Sequence, residues 1–84
     1  INVLYFAAAS TATNKTTEQI PIPPAGLLLS SLSDLLISRY PGTDLAKVLQ
    51  TSQWSVDAKM VDDPGLVTLR GGEEVAVIPP VSGG

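Results

Sequence analysis

The side chains that most often do nucleophilic and acid–base work are missing from this sequence, which has no cysteine and no histidine. Their absence removes thiol nucleophiles, imidazole bases, disulfides and the usual zinc ligand sets, and no metal site is expected. Ser30, Ser31 and Ser33 fall in one segment with no histidine to activate them. Asp62-Asp63 and Glu73-Glu74 are acid pairs beside turn residues. Neighbours on a strand point to opposite faces, so each pair reads as solvated surface, with a lesser role in meeting basic residues of a partner left open. Gly71-Gly72 lacks the lysine and the following helix of a phosphate-binding loop. The remaining candidate is the ending Pro79-Pro80-Val81-Ser82-Gly83-Gly84. Glycine pairs at a chain end are often inert. Here, two prolines fix φ and favour an extended, stiff segment, and Val81 offers an apolar anchor. Gly83 and Gly84, without Cβ atoms, suit a passage too narrow for side chains.

A tail of this kind needs a body to hold it. Ile1 to Ala8 is β-branched and aromatic and reads as a strand, with Val3, Tyr5 and Ala7 inward and Leu4 and Phe6 on the other face. The same start lacks the basic segment of a secretory leader. Ser10 to Lys15 has turn composition and reads as a hairpin loop. Glu18 to Ile22 is a short second strand, ended by Pro23-Pro24. Leu28, Leu32, Leu35, Leu36 and Tyr40 recur at helical spacing and predict a helix over 27–40, stopped by Pro41-Gly42. Thr43 can cap a shorter helical turn carrying Leu45, Val48 and Leu49. Trp54 to Val61 reads as one strand with Trp54 packed in the core or at its edge, and Asp63-Pro64-Gly65-Leu66 as a type II turn. Leu66 to Leu69 is a brief strand, and Glu74 to Ile78 is the last.

This order predicts an α+β fold of the ubiquitin-like β-grasp type, a mixed sheet of about five strands packed on one main helix. The β-grasp domain spans 1–78, and 79–84 projects as the tail. The first and last strands lie parallel in the centre of the sheet. Phe6 and Ile78 then share one end and one face, next to the tail, and an apolar patch beside a projecting tail reads as a docking face.

Composition sets limits. Eighty-four residues make one domain, too small to wall a deep catalytic cleft. A net charge of −3 argues against nucleic acid. No apolar run approaches the roughly 20 residues of a membrane span. A hydrophobic share of 44% in so short a chain suggests that some apolar residues face a partner. The lack of cysteine fits a cytoplasmic location.

Val3-Leu4-Tyr5-Phe6-Ala7, Arg39-Tyr40-Pro41-Gly42 and the run from Glu74 to Gly84 resemble the small subunits of molybdopterin synthase. The resemblance is specific at the C-terminus, while 43–72 matches only in pattern. It implies a non-catalytic, sulfur-donating subunit with no bound cofactor. An activating enzyme of the ubiquitin-activating type uses ATP to adenylate the carboxylate carried here by Gly84, and a sulfur donor protein converts it to a thiocarboxylate. Pro80, Val81, Ser82 and Gly83 then insert into the large, catalytic subunit, where sulfur converts precursor Z (cyclic pyranopterin monophosphate) into the dithiolene of molybdopterin. Phe6, Ile78 and Met60 match the family's docking positions, and two carriers join two large subunits in a heterotetramer. A ubiquitin-like protein modifier, or a β-grasp sulfur carrier for thiamine or tRNA thiolation, is the alternative.

Overall fold

A computed structural model describes residues 1–80 of the chain; Val81, Ser82, Gly83 and Gly84, most of the expected tail, lie outside the described residues. Among the described residues, seven short strands and three helices follow one another as β1 (Asn2–Tyr5), α1 (Ala7–Thr13), β2 (Thr17–Gln19), β3 (Leu27–Leu28), α2 (Leu29–Arg39), α3 (Leu45–Thr51), β4 (Gln53–Val56), β5 (Lys59–Val61), β6 (Thr68–Leu69) and β7 (Glu74–Ile78), with a 3-10 turn at Pro64–Leu66. The main sheet has five strands in the order β2-β1-β7-β4-β5. As expected, β1 and β7 run parallel, Val3 opposite Val75 and Tyr5 opposite Val77. Such a pair needs a long crossover, which α2 and α3 supply.

Leu29, Leu32 and Leu36 of α2 and Leu45 and Leu49 of α3 pack on Val3, Tyr5, Val75, Val77 and Trp54 of the sheet. Each fully buried aliphatic side chain contributes about 1.5–3 kcal/mol. The helical stripe is shifted from expectation at its start: Leu28 is a strand residue and 43% exposed, and Leu29 takes the buried place. Gly42 leaves α2 with φ +77°, a backbone conformation that glycine adopts without strain.

Other sequence expectations are corrected as well. The segment expected as a loop over 10–15 is mostly the helix α1, because Ala8, Ala9 and Ala12 are strong helix formers and neither Gly nor Pro interrupts the run. The Phe6 carbonyl accepts the amides of Ala9 and Ser10, and Asn14 ends the helix in the left-handed region at φ 58°. The first strand therefore stops at Tyr5, and Ala7 is exposed instead of inward. The second strand covers only Thr17–Gln19, although Ile20 remains buried. Asp63-Pro64-Gly65-Leu66 forms a 3-10 turn in place of a type II turn: the Asp63 carboxylate accepts the Gly65 amide, and φ at Gly65 stays out of the positive range. Thr68–Leu69 pairs with Leu27–Leu28 in a separate two-stranded sheet, leaving Leu66 outside the strand.

The last correction bears on the site. Trp54 to Val61 is not one strand but the hairpin β4–β5, with Val56 opposite Lys59 across a two-residue turn. Asp57 and Ala58 both have positive φ, 50° and 69°, the signature of a type I′ turn. Asp57 suits it, since its carboxylate accepts the Glu74 amide at 3.0 Å. Ala58 has no such compensation, and a left-handed L-residue costs roughly 1–2 kcal/mol. Ala58→Gly should raise the unfolding free energy by about 1 kcal/mol in a denaturant titration.

Candidate functional site

Residues paired across a sheet share a face. Leu4 opposes Ala76, Ala76 opposes Ser55, and Ser55 opposes Met60, so one row crosses the sheet from β1 to β5 on the side away from α2. The hairpin is what brings Met60 there. An uninterrupted strand would have set Met60 on the face of the buried Trp54; the two-residue turn pairs it with Ser55 instead. In the next row Ile78 opposes Gln53, and Phe6 continues β1 with its amide donating to the Val77 carbonyl at 3.4 Å. Phe6 is 48% exposed and Met60 54%, with Ile78 half-buried. All three expected docking residues thus sit on one face, joined by Leu4 and Ala76. Large apolar side chains left half in water on a flat sheet face are suited to contact with another protein.

The tail is rooted at the same end. Ile78 closes β7, Pro79 is buried and Pro80 is exposed. Of the expected tail-insertion residues only Pro80 is described; Val81, Ser82, Gly83 and Gly84, the expected site of the thiocarboxylate, lie outside the described residues.

The Arg39-Tyr40 motif has a structural task that sequence reading missed. Both residues meet Glu18 of β2. The Tyr40 hydroxyl donates to Glu18 Oε1 at 2.5 Å and the Tyr5 hydroxyl to the same oxygen at 2.9 Å, while Arg39 and Lys15 donate to Oε2 at 3.0 and 3.2 Å. The Tyr5 and Tyr40 rings meet edge to face with centroids 6.4 Å apart, and the Lys15 ammonium lies 5.9 Å from the Tyr40 centroid. One carboxylate thereby ties the end of α2 and the segment after α1 to the sheet beneath. Spacing could not reveal this, since Glu18 and Tyr40 are 22 positions apart.

Burial of the Glu18 side chain opposes ionisation, but the hydrogen bonds from Tyr40, Tyr5, Arg39 and Lys15 outweigh it and hold the carboxyl at about 2 instead of 4.5. Burial first, and then Glu18, push the Tyr5 and Tyr40 phenols up, so both remain donors at neutral pH. With the folded pKa depressed, the stabilisation from Glu18 is fully present above about pH 4.5 and is lost as pH falls from there toward 2. The side chain is 8% exposed, so the loss should amount to roughly 3 kcal/mol. Unfolding titrations of the parent and Glu18→Gln between pH 7 and 2.5 check it. The variant should be about 2–3 kcal/mol less stable at pH 7 and lose much less across the acid limb.

Among the described residues no group of three His, Cys, Asp or Glu is placed to hold a metal ion, and no helix is long and apolar enough to cross a membrane. A groove of about 450 Å3 between α1 and α3 is lined by Ala8, Thr11, Ala12, Gly42, Thr43, Asp44 and Val48. Asp44 is its one ionisable side chain, so it offers no acid–base pair.

The ThiS family profile matches residues 3–84. Molybdopterin synthase sulfur carrier subunits are similar along their length. The protein of Mycosarcoma maydis is 43% identical over all of this chain and 92% of its own length. That of Aspergillus niger is 48% identical over 95% of this chain and 89% of its own length, and the human protein 35% over 100% and 93%. Among solved structures, SAMP1 from Haloferax volcanii superposes with a TM-score of 0.80 at 19% identity, over 99% of this chain and 97% of its own. A putative molybdopterin converting factor subunit 1 from Pyrococcus furiosus reaches 0.74 at 21% identity, over 95% of each chain. These two likenesses show the fold, which is the expected ubiquitin-like β-grasp.

Proposed function

Because this chain belongs to the ThiS family and matches sulfur carrier subunits of molybdopterin synthase along its whole length, we propose that Gly84 carries the sulfur as a C-terminal thiocarboxylate and delivers it to precursor Z. The observation that supports this most is the common location of two features: Phe6 and Ile78 open the apolar outer face at the end of the sheet where Pro79 and Pro80 begin the tail. A partner that covers this face receives the tail at a fixed place.

The chemistry follows from the carboxylate. A carboxylate oxygen is a poor leaving group, so an activating enzyme first joins it to AMP, releasing pyrophosphate from ATP. Sulfur released by the donor at the sulfide oxidation level then displaces AMP and leaves a C-terminal thiocarboxylate, a soft anionic nucleophile that needs no cysteine in this chain. Gly83 and Gly84 allow close approach along a narrow passage, and Pro80, Val81 and Ser82 set their reach. The large subunit supplies the catalytic side chains, and Phe6, Ile78 and Met60 supply the docking contacts. ATP serves the activating enzyme only, and the cycle runs in the cytoplasm. The relatives' names favour this use over protein modification or thiamine and tRNA thiolation. Mixing the chain with a large subunit from a related synthase tests the assembly. Co-elution as two carriers on two large subunits is expected; separate elution at micromolar concentrations would contradict it.

A further inference from the structure

The ladder between β1 and β7 stops for a reason that the backbone makes visible. The Asn2 amide donates to the Glu73 carbonyl at 2.9 Å and the Phe6 amide to the Val77 carbonyl at 3.4 Å. In a parallel ladder such a residue also accepts, through its own carbonyl, the amide two positions further along the partner strand. For Phe6 that amide belongs to residue 79, which is proline and has none. The Phe6 carbonyl is instead engaged by α1, accepting the Ala9 amide at 2.9 Å and the Ser10 amide at 3.4 Å. Alternation along β7 continues the inward row Val75, Val77 into residue 79, and Pro79 is indeed buried while Pro80 is exposed.

We propose that Pro79 is a positioning residue for sulfur transfer: by lacking an N–H it ends the sheet at Ile78, leaves the Phe6 carbonyl to α1, and fixes the point from which the tail reaches its partner. The proposal rests on the sulfur carrier reading for its functional half only. From Pro80 to Gly84 the chain can extend at most about 17 Å, so the place where it starts decides where the thiocarboxylate arrives. A residue with an N–H at 79 competes with Ser10, whose bond is the longer, and carries the ladder further along the tail. Displacements of about 1 Å at a reacting atom can cost about 10²-fold in rate.

Two variants test it. Pro79→Ala restores the donor, and Pro79→Val restores it while keeping an apolar side chain at the buried position, so lost packing and a regained N–H are told apart. Amide exchange, followed by NMR on the chain alone, should show the new residue 79 amide protected at least about tenfold relative to an unstructured amide, with Ser10 exchanging faster than in the parent. An unprotected residue 79 and an unchanged Ser10 would overturn the ladder argument. In single-turnover transfer to the large subunit, both variants should load sulfur normally and bind with unchanged half-saturation, yet transfer at least about tenfold more slowly. Transfer at the parent rate would overturn the positioning role. A parent chain that takes up no sulfur would instead remove the carrier reading, and amide exchange would still decide whether Pro79 ends the ladder.

Discussion

Deleting Gly84 lowers sulfur transfer by at least about 10²-fold while leaving the fold and the docking step intact. The deletion retracts the reacting carboxylate by one residue, about 3.3 Å, and at that distance the nucleophile no longer meets its target. The core of the described residues runs from Val3 to Val77, and the apolar face is built from β1, β5 and β7. Thermal unfolding and affinity for the large subunit should therefore match the parent. The check is single-turnover transfer measured beside a binding titration on the same preparation. A fall in binding alone would mean that the end of the tail holds the complex together instead of carrying the sulfur.

Phe6→Asp weakens binding to the large subunit by roughly 10²-fold, equivalent to about 3 kcal/mol. Phe6 is half in water in the free chain, so the substitution removes little packing from the fold, and stability should change by no more than about 0.5 kcal/mol. In the complex the aspartate would be buried against an apolar surface, where an unpaired charge is costly. Met60→Asp should act in the same direction and more weakly, since β5 is an edge of the sheet and Met60 sits at the border of the face. Titration calorimetry on both variants, with unfolding curves as the control, separates docking from folding. Equal affinity for Phe6→Asp and the parent would remove the outer face from the interface.

The centre of the sheet was legible in the sequence because its signals are local and strong. Ile1 to Phe6 and Glu74 to Ile78 alternate on β-branched and aromatic residues, and their parallel pairing follows from the helix between them. Phe6 and Ile78 came out on one face because the strand period is two. Other parts were hidden by composition. Alanine, serine, threonine and asparagine between Phe6 and Lys15 suit either a turn or a short helix, and the choice is made by tertiary contacts: Thr13 is buried, with its hydroxyl donating to the Ala9 carbonyl at 2.9 Å. The β4–β5 hairpin escaped detection because its turn reads Asp57-Ala58, without the glycine that usually marks positive φ. That omission mattered, since the turn decides which face receives Met60. Glu18 looked like one more surface carboxylate, and only the fold brings Tyr5, Arg39 and Tyr40 to it.

These features together make a platform with an apolar face and a tail rooted at Pro79, and the proposed function makes its use depend on one covalent change at Gly84. Intact-mass measurement of the chain after incubation with an activating enzyme of the family, ATP and a sulfur donor tests that change most directly. The expected result is an oxygen-to-sulfur mass change that maps to Gly84, requires ATP and disappears when Gly84 is deleted. An unchanged mass under conditions in which the same enzymes load a related carrier would contradict it.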